Sequence, residues 1–127
     1  MFSTPWITLY SRNIGRAVRF YRGIGFTETF RYAPRGQPER VDLVLDGFQL
    51  SIADATLAKA NHGRSGRVNG PPIELVLRCD DADGAFDRLT AAGAKPLAQP
   101  RDQHDNLRVA WVADPDQRPI QLVQRRS

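Results

Sequence analysis

Few residues in this chain could do chemistry or hold a ligand, and two of them are its only tryptophans, Trp6 and Trp111. An indole N–H donates a hydrogen bond but has no lone pair for a metal, so each tryptophan offers a stacking face and not a ligand. Glu74 and Arg78 stand four apart in "ELVLR". On a strand they share a face about 13 Å apart, as two separate charges. Tyr10, Gln49 and Gln121 add a phenol and two amides that can both donate and accept. Cys79 is the single cysteine, which excludes an intramolecular disulfide or a thiolate cluster, and the apolar run before it marks an inert strand thiol. His62 and His104 have no partner at ligand spacing. His104, in "PRDQHDNLR" ahead of a strand, is the better candidate for touching a ligand.

The elements that must position these residues come in two copies. "WITLYSRNIGRAVRFYRGIGF" (6–26) lies over "ELVLRCDDADGAFDRLTAAGA" (74–94) without a gap, pairing Trp6 with Glu74, Asn13 with Asp81 and Gly25 with Gly93. At the same offset "RVDLVLD" (40–46) falls on "RVAWVAD" (108–114); after four further residues, "PDQR", "FQL" (48–50) meets "IQL" (120–122). The order of these matches argues for an internal duplication.

Each copy opens on an alternating strand. Ile7 and Leu9 oppose Trp6, Thr8 and Tyr10, while Leu75, Leu77 and Cys79 oppose Glu74, Val76 and Arg78. Helices follow, with stripes Ile14, Ala17, Val18, Tyr21 and Ala82, Ala85, Phe86, Leu89. Asn13 and Asp81 are expected as N-caps, and Gly25 and Gly93 as the left-handed stops. Strands are expected near 26–33, 40–46 and 48–53, then 95–99, 107–113 and 119–124, with turns at Asp46-Gly47 and Asp114–Gln117. The boundaries are unit one at about 5–54, a linker at about 55–72 and unit two at about 73–125, all within one domain spanning 1–127.

The composition, 41% hydrophobic and 25% charged over 127 residues, suits one globular domain with its own core. No apolar run reaches the length of a membrane span and "MFSTPW" lacks the order of a signal peptide, so a cytoplasmic protein is expected. The net charge of +4 is spread along the chain and interrupted by acids, which gives no support to a nucleic-acid surface.

Two βαβββ units with "RAVRFYRGIGF" in the first and "DPDQRPIQL" near the C-terminus resemble the glyoxalase, bleomycin-resistance and extradiol dioxygenase group, the vicinal oxygen chelate superfamily. The resemblance implies an α+β fold in which each unit curls a mixed sheet around a cleft, and it implies a homodimer. It further implies that enzymatic relatives hold one divalent metal at positions matching Trp6, Gln49, Glu74 and Gln121, where His, Gln or Glu is usual. Trp6 cannot ligate, and Gln49, Glu74 and Gln121 would leave a dication with a single anionic donor.

The expectation is therefore a metal-independent binding protein of the bleomycin- or mitomycin-resistance type, without a cofactor. It would sequester an aromatic or peptide-like compound in a cleft lined by Trp6, Tyr10, Gln49, Glu74, Arg78, His104, Trp111 and Gln121. Trp111 has a competing reading, because the alternation Val109, Trp111, Ala113 could face the helices. The alternative function is a metal-dependent glyoxalase-type lyase, isomerase or thiol transferase, with Glu74 moving a proton and Gln49, Glu74 and Gln121 as ligands.

Overall fold

The computed structural model describes residues 5–56, 73–103 and 106–126. The chain falls into two compact units, residues 1–67 and 68–127. His62 and His104, and all but the first two residues of the expected linker, lie outside the described residues.

In unit one the alternation of "ITLYS" makes β1 (Ile7–Ser11), and Asn13 then starts α1 (Ile14–Gly23). The Asn13 Oδ1 accepts the N–H of Arg16 at 3.0 Å, and Ser11 Oγ accepts the N–H of Asn13 at 3.0 Å. The chain leaves the helix through Gly25, whose φ of 122° a side chain would oppose. Strands β2 (Thr27–Tyr32), β3 (Arg40–Leu45) and β4 (Phe48–Asp54) complete a sheet of order β1-β4-β3-β2. β1 runs parallel to β4 and the other pairs are antiparallel. The helix buries Ala17, Val18, Phe20 and Tyr21 against one face of the sheet, where Leu9, Val41, Leu43, Leu50 and Ile52 are buried too. Each such aliphatic side chain contributes about 1.5–3 kcal/mol. Tyr21 meets Phe20 and Phe26 edge-to-face, with ring centroids 5.1 and 5.5 Å apart.

Unit two repeats the plan with β5 (Leu75–Arg78), α2 (Ala82–Ala91), β6 (Lys95–Gln103), β7 (Leu107–Ala113) and β8 (Pro119–Arg125), in the order β5-β8-β7-β6. Asp81 caps α2 by accepting the N–H of Gly84 at 3.1 Å, and Gln124 adds a second acceptor for the N–H of Ala82 at 2.8 Å. Ala82, Phe86 and Leu89 are buried on the helix side with Ala110, Val112, Ile120 and Leu122; Ala85, expected in that stripe, is only partly covered. Arg108, on the same side, clamps Asp83 of α2 through Nε and Nη2 at 2.6 and 2.9 Å and reaches Asp102 of β6 at 3.0 Å.

The expected elements are present, but the two copies do not superpose at one offset. Ile7 pairs with Leu50 as Leu75 pairs with Ile120, so Leu50 corresponds to Ile120 and Ser51 to Gln121. Leu43 pairs with Leu50 as Val112 pairs with Ile120, which makes Trp111 the counterpart of Asp42 and not of Leu43. The ungapped match is thus one residue out in β7, and the match of Gln49 to Gln121 is two residues out. One added residue is taken up in β6, whose pairing shifts between Ala98 and Arg101, and another in the turn before β8. In that turn Asp114 Oδ1 accepts the N–H groups of Asp116 and Arg118 at 2.8 and 2.9 Å, whereas unit one turns on Asp46 and Gly47 at φ 52° and 82°.

Candidate functional site

Among the described residues each unit's helix packs on one face of its sheet, and the candidate residues collect on the other, the open face. In unit one, pairing across the sheet gives the row Thr8, Ser51, Asp42, Phe30 and the row Tyr10, Ala53, Arg40, Tyr32. Trp6 stands just before β1 on the same face and is 47% exposed. The guanidinium of Arg40 lies over its ring, 5.5 Å from the centroid.

That arginine is held from below. Asp42 Oδ1 accepts Arg40 Nε at 2.8 Å and Asp42 Oδ2 accepts Nη2 at 3.2 Å. The Ser51 hydroxyl donates to the same Asp42 Oδ1 at 2.7 Å, and Gln49 Nε2 donates to Ser51 Oγ at 3.3 Å. Asp42 is 8% exposed and Ser51 0%, so the polar line Gln49, Ser51, Asp42, Arg40 has a buried centre and partly exposed ends, one of them on the tryptophan. Phe30 and Tyr32, each 51% exposed, extend the aromatic surface towards the β2 edge.

Unit two has the rows Val76, Gln121, Trp111, Ala98 and Arg78, Val123, Val109, Arg101 on its open face. Trp111 therefore points away from the helix, contrary to the reading that grouped it with the core; the one-residue shift turns it over, since neighbouring strand residues face opposite sides. Its indole crosses β8 and donates Nε1–H to Glu74 Oε1 at 2.7 Å. Arg101 lies over the ring, 5.5 Å from the centroid.

The structure thus brings Trp6, Tyr10 and Gln49 onto one open face and Glu74, Arg78, Trp111 and Gln121 onto the other. Cys79 follows β5, with its N–H bonded to Val123 O at 2.9 Å, and burial pushes its thiol above the ordinary range, as expected for an unreactive cysteine. Arg40, Asp42, Ser51 and Arg101 were not among the expected site residues. Asp42 had a signal in the sequence: in "RVDLVL" a charge at the centre of an otherwise apolar strand puts Arg40 and Asp42 opposite Val41 and Leu43. Arg101 had none, because the irregular pairing of β6 hides which way its residues face.

Comparison with known proteins agrees with this architecture. The family model of the Glyoxalase/Bleomycin resistance protein/Dioxygenase superfamily matches residues 3–122. The chain belongs to this superfamily. Among solved structures it is similar to hypothetical protein SA1046 of S. aureus, with a TM-score of 0.82 at 14% identity over 98% of this chain and 94% of that one. TioX of Micromonospora sp. ML1 aligns with a TM-score of 0.71 at 22% identity over 98% and 100% of the two chains. The fosfomycin resistance protein FosX of Mesorhizobium loti aligns at 0.67 and 17% identity over 98% and 92%. No curated protein matches the sequence.

The superfamily's enzymes imply a divalent metal, and the residues at the implied positions do not fit one. Trp6 has no lone pair to give. In unit one the register puts Ser51, not Gln49, at the place of Gln121, and its hydroxyl is committed to Asp42. Glu74 accepts the Trp111 N–H. Among the described residues no three His, Cys, Asp or Glu side chains come together.

Proposed function

We propose that this superfamily member is a metal-independent small-molecule binding protein of the resistance type, which sequesters a planar aromatic or peptide-like compound on its tryptophan faces. It works in the cytoplasm as a homodimer. The observation that carries this reading is that both tryptophans lie on open sheet faces, each beneath an arginine, instead of filling the cores behind them. A tryptophan capped by a guanidinium is a flat, weakly hydrated surface, and it is already ordered before a ligand arrives. The amides of Gln49 and Gln121, which can donate or accept, supply orientation around it. Glu74 serves in this reading as the hydrogen-bond partner that fixes the Trp111 indole, not as a base. Among the described residues no helix is long and apolar enough to cross a membrane.

Because Trp6 and Trp111 are the only tryptophans, the tryptophan emission of the protein, excited to the red of tyrosine absorption, comes entirely from the two open faces. Titration with a panel of aromatic compounds should quench it saturably, and Trp6→Ala should lower the affinity at least about tenfold with an unchanged circular dichroism spectrum. Unchanged affinity in that variant would remove the reading. For the assembly, sedimentation at micromolar concentration should give a dimer; a well-folded monomer would refute the pairing.

A further inference from the structure

The two tryptophan faces carry the same arginine stack but differ in what neutralises it. In unit one the fork of Arg40 is closed by Asp42, at 2.8 and 3.2 Å, so the guanidinium over Trp6 is already paired. In unit two the place of Asp42 is taken by Trp111 itself, and the guanidinium over it comes from Arg101 on the neighbouring strand. Among the described residues Arg101 has no carboxylate within ion-pair distance, whereas Arg31, Arg108, Arg118 and Arg126 each have one. The acid on this face, Glu74, sits at the far edge of the indole and accepts its N–H at 2.7 Å. An anion at that N–H enriches the ring in electron density and so strengthens the hold of the ring on Arg101. Arg78 ends the same cross-sheet row as Arg101, at the opposite edge of the sheet, and it too has no carboxylate partner among the described residues.

We propose that the open face of unit two binds the oxyanion of a planar aromatic ligand, with Arg101 as the anion-binding residue and Trp111 as the wall that positions it. This rests on the aromatic-binding reading above and narrows it to one ligand class. The guanidinium presents a planar fork that matches carboxylate or sulfonate oxygens, and the Trp111 ring, 5.5 Å from it, holds it over the open face. The unit-one face, with its arginine already neutralised, takes uncharged aromatic surface.

The test uses two dyes that share one ring skeleton, 8-anilinonaphthalene-1-sulfonate and its uncharged analogue N-phenyl-1-naphthylamine, titrated into the full chain at low ionic strength. The sulfonate should bind at least about tenfold more tightly, the scale of one hydrogen-bonded charge pair. Added salt should shrink the preference, because the arginines are exposed. Arg101→Met should abolish the preference, and Arg88→Met, which removes the same charge from α2, should leave it intact. Equal affinity for the two dyes in the unaltered protein, or a preference that survives Arg101→Met, overturns the assignment while leaving aromatic binding in place. Failure of both dyes to bind overturns the aromatic-binding reading and the assignment with it.

Discussion

Replacing Asp42 by alanine tests whether the polar line beneath Trp6 holds unit one's open face together. The variant removes the acceptor of the Ser51 hydroxyl, which is 0% exposed and keeps only the long 3.3 Å bond from Gln49. A buried donor left without its acceptor costs about 1–3 kcal/mol. The Arg40 pair adds less, about 0.5–1 kcal/mol, since the arginine side chain is 40% exposed and solvent screens the charge. The total is about 1.5–4 kcal/mol. At roughly 2.1 cal/mol/K of unfolding entropy per residue, a cooperative melt of this chain should lose about 6–15 °C in Tm. The assay is thermal and urea unfolding of the wild type, Asp42→Ala, Ser51→Ala and the double variant. Removing the hydroxyl along with the carboxylate leaves no buried orphan hydroxyl, and the partly exposed Gln49 amide can turn to solvent, so the double variant should be more stable than the sum of the singles by about 1 kcal/mol or more. Strict additivity, or an Asp42→Ala loss below about 1 kcal/mol, would refute the idea that these groups act as one network.

Three further outcomes are expected. The Arg108 clamp holds the Asp83 carboxyl below its ordinary 3.8, so folding sheds protons between the two values; stability is complete above the unfolded value and is lost as pH falls through the folded one. Asp83→Asn should accordingly flatten the acid limb of stability against pH below about pH 4, and an unaltered slope would contradict the clamp. Burial raises the Cys79 thiol, so a disulfide reagent at neutral pH should modify the native protein at least about tenfold more slowly than free glutathione; an equal rate would refute it. Asp81→Ala should cost about 1 kcal/mol in urea unfolding through loss of the α2 cap, less if the Gln124 acceptor compensates fully, which a double substitution with Gln124→Ala would reveal.

The elements of the fold were legible because each had a local cause in the sequence: alternation in "ITLYS", a cap at Asn13 and Asp81, a stop at Gly25 and Gly93. These are short-range effects, and the strands and helices appear within a few residues of where they were expected. What the sequence hid was register. Trp111 and Leu43 look equivalent when the copies are laid side by side, yet Leu43 is buried behind the sheet and Trp111 lies on the open face. Pairing is settled between strands distant in sequence, and the residue absorbed within β6 leaves no mark in composition or periodicity. The same blindness concealed Arg101 and exchanged Gln49 for Ser51 as the partner of Gln121. Residue type alone says that the Trp6 indole has no lone pair to give, whereas the role of Arg40 is set by Asp42, its partner two residues along the strand, and by Trp6 across the sheet.

The unequal spacing of the two copies also says how such a molecule can diversify. A residue gained in β6 is absorbed there by the shift in its pairing, so the strand beyond it keeps its faces: Ala110 and Val112 are buried at the places of Val41 and Leu43. An added residue that β6 did not absorb would turn the strand over and bring polar residues into the interior. An edge strand that takes up a change of length in this way lets the residues at the rim of the open face change while the core behind β7 and β8 stays as it was.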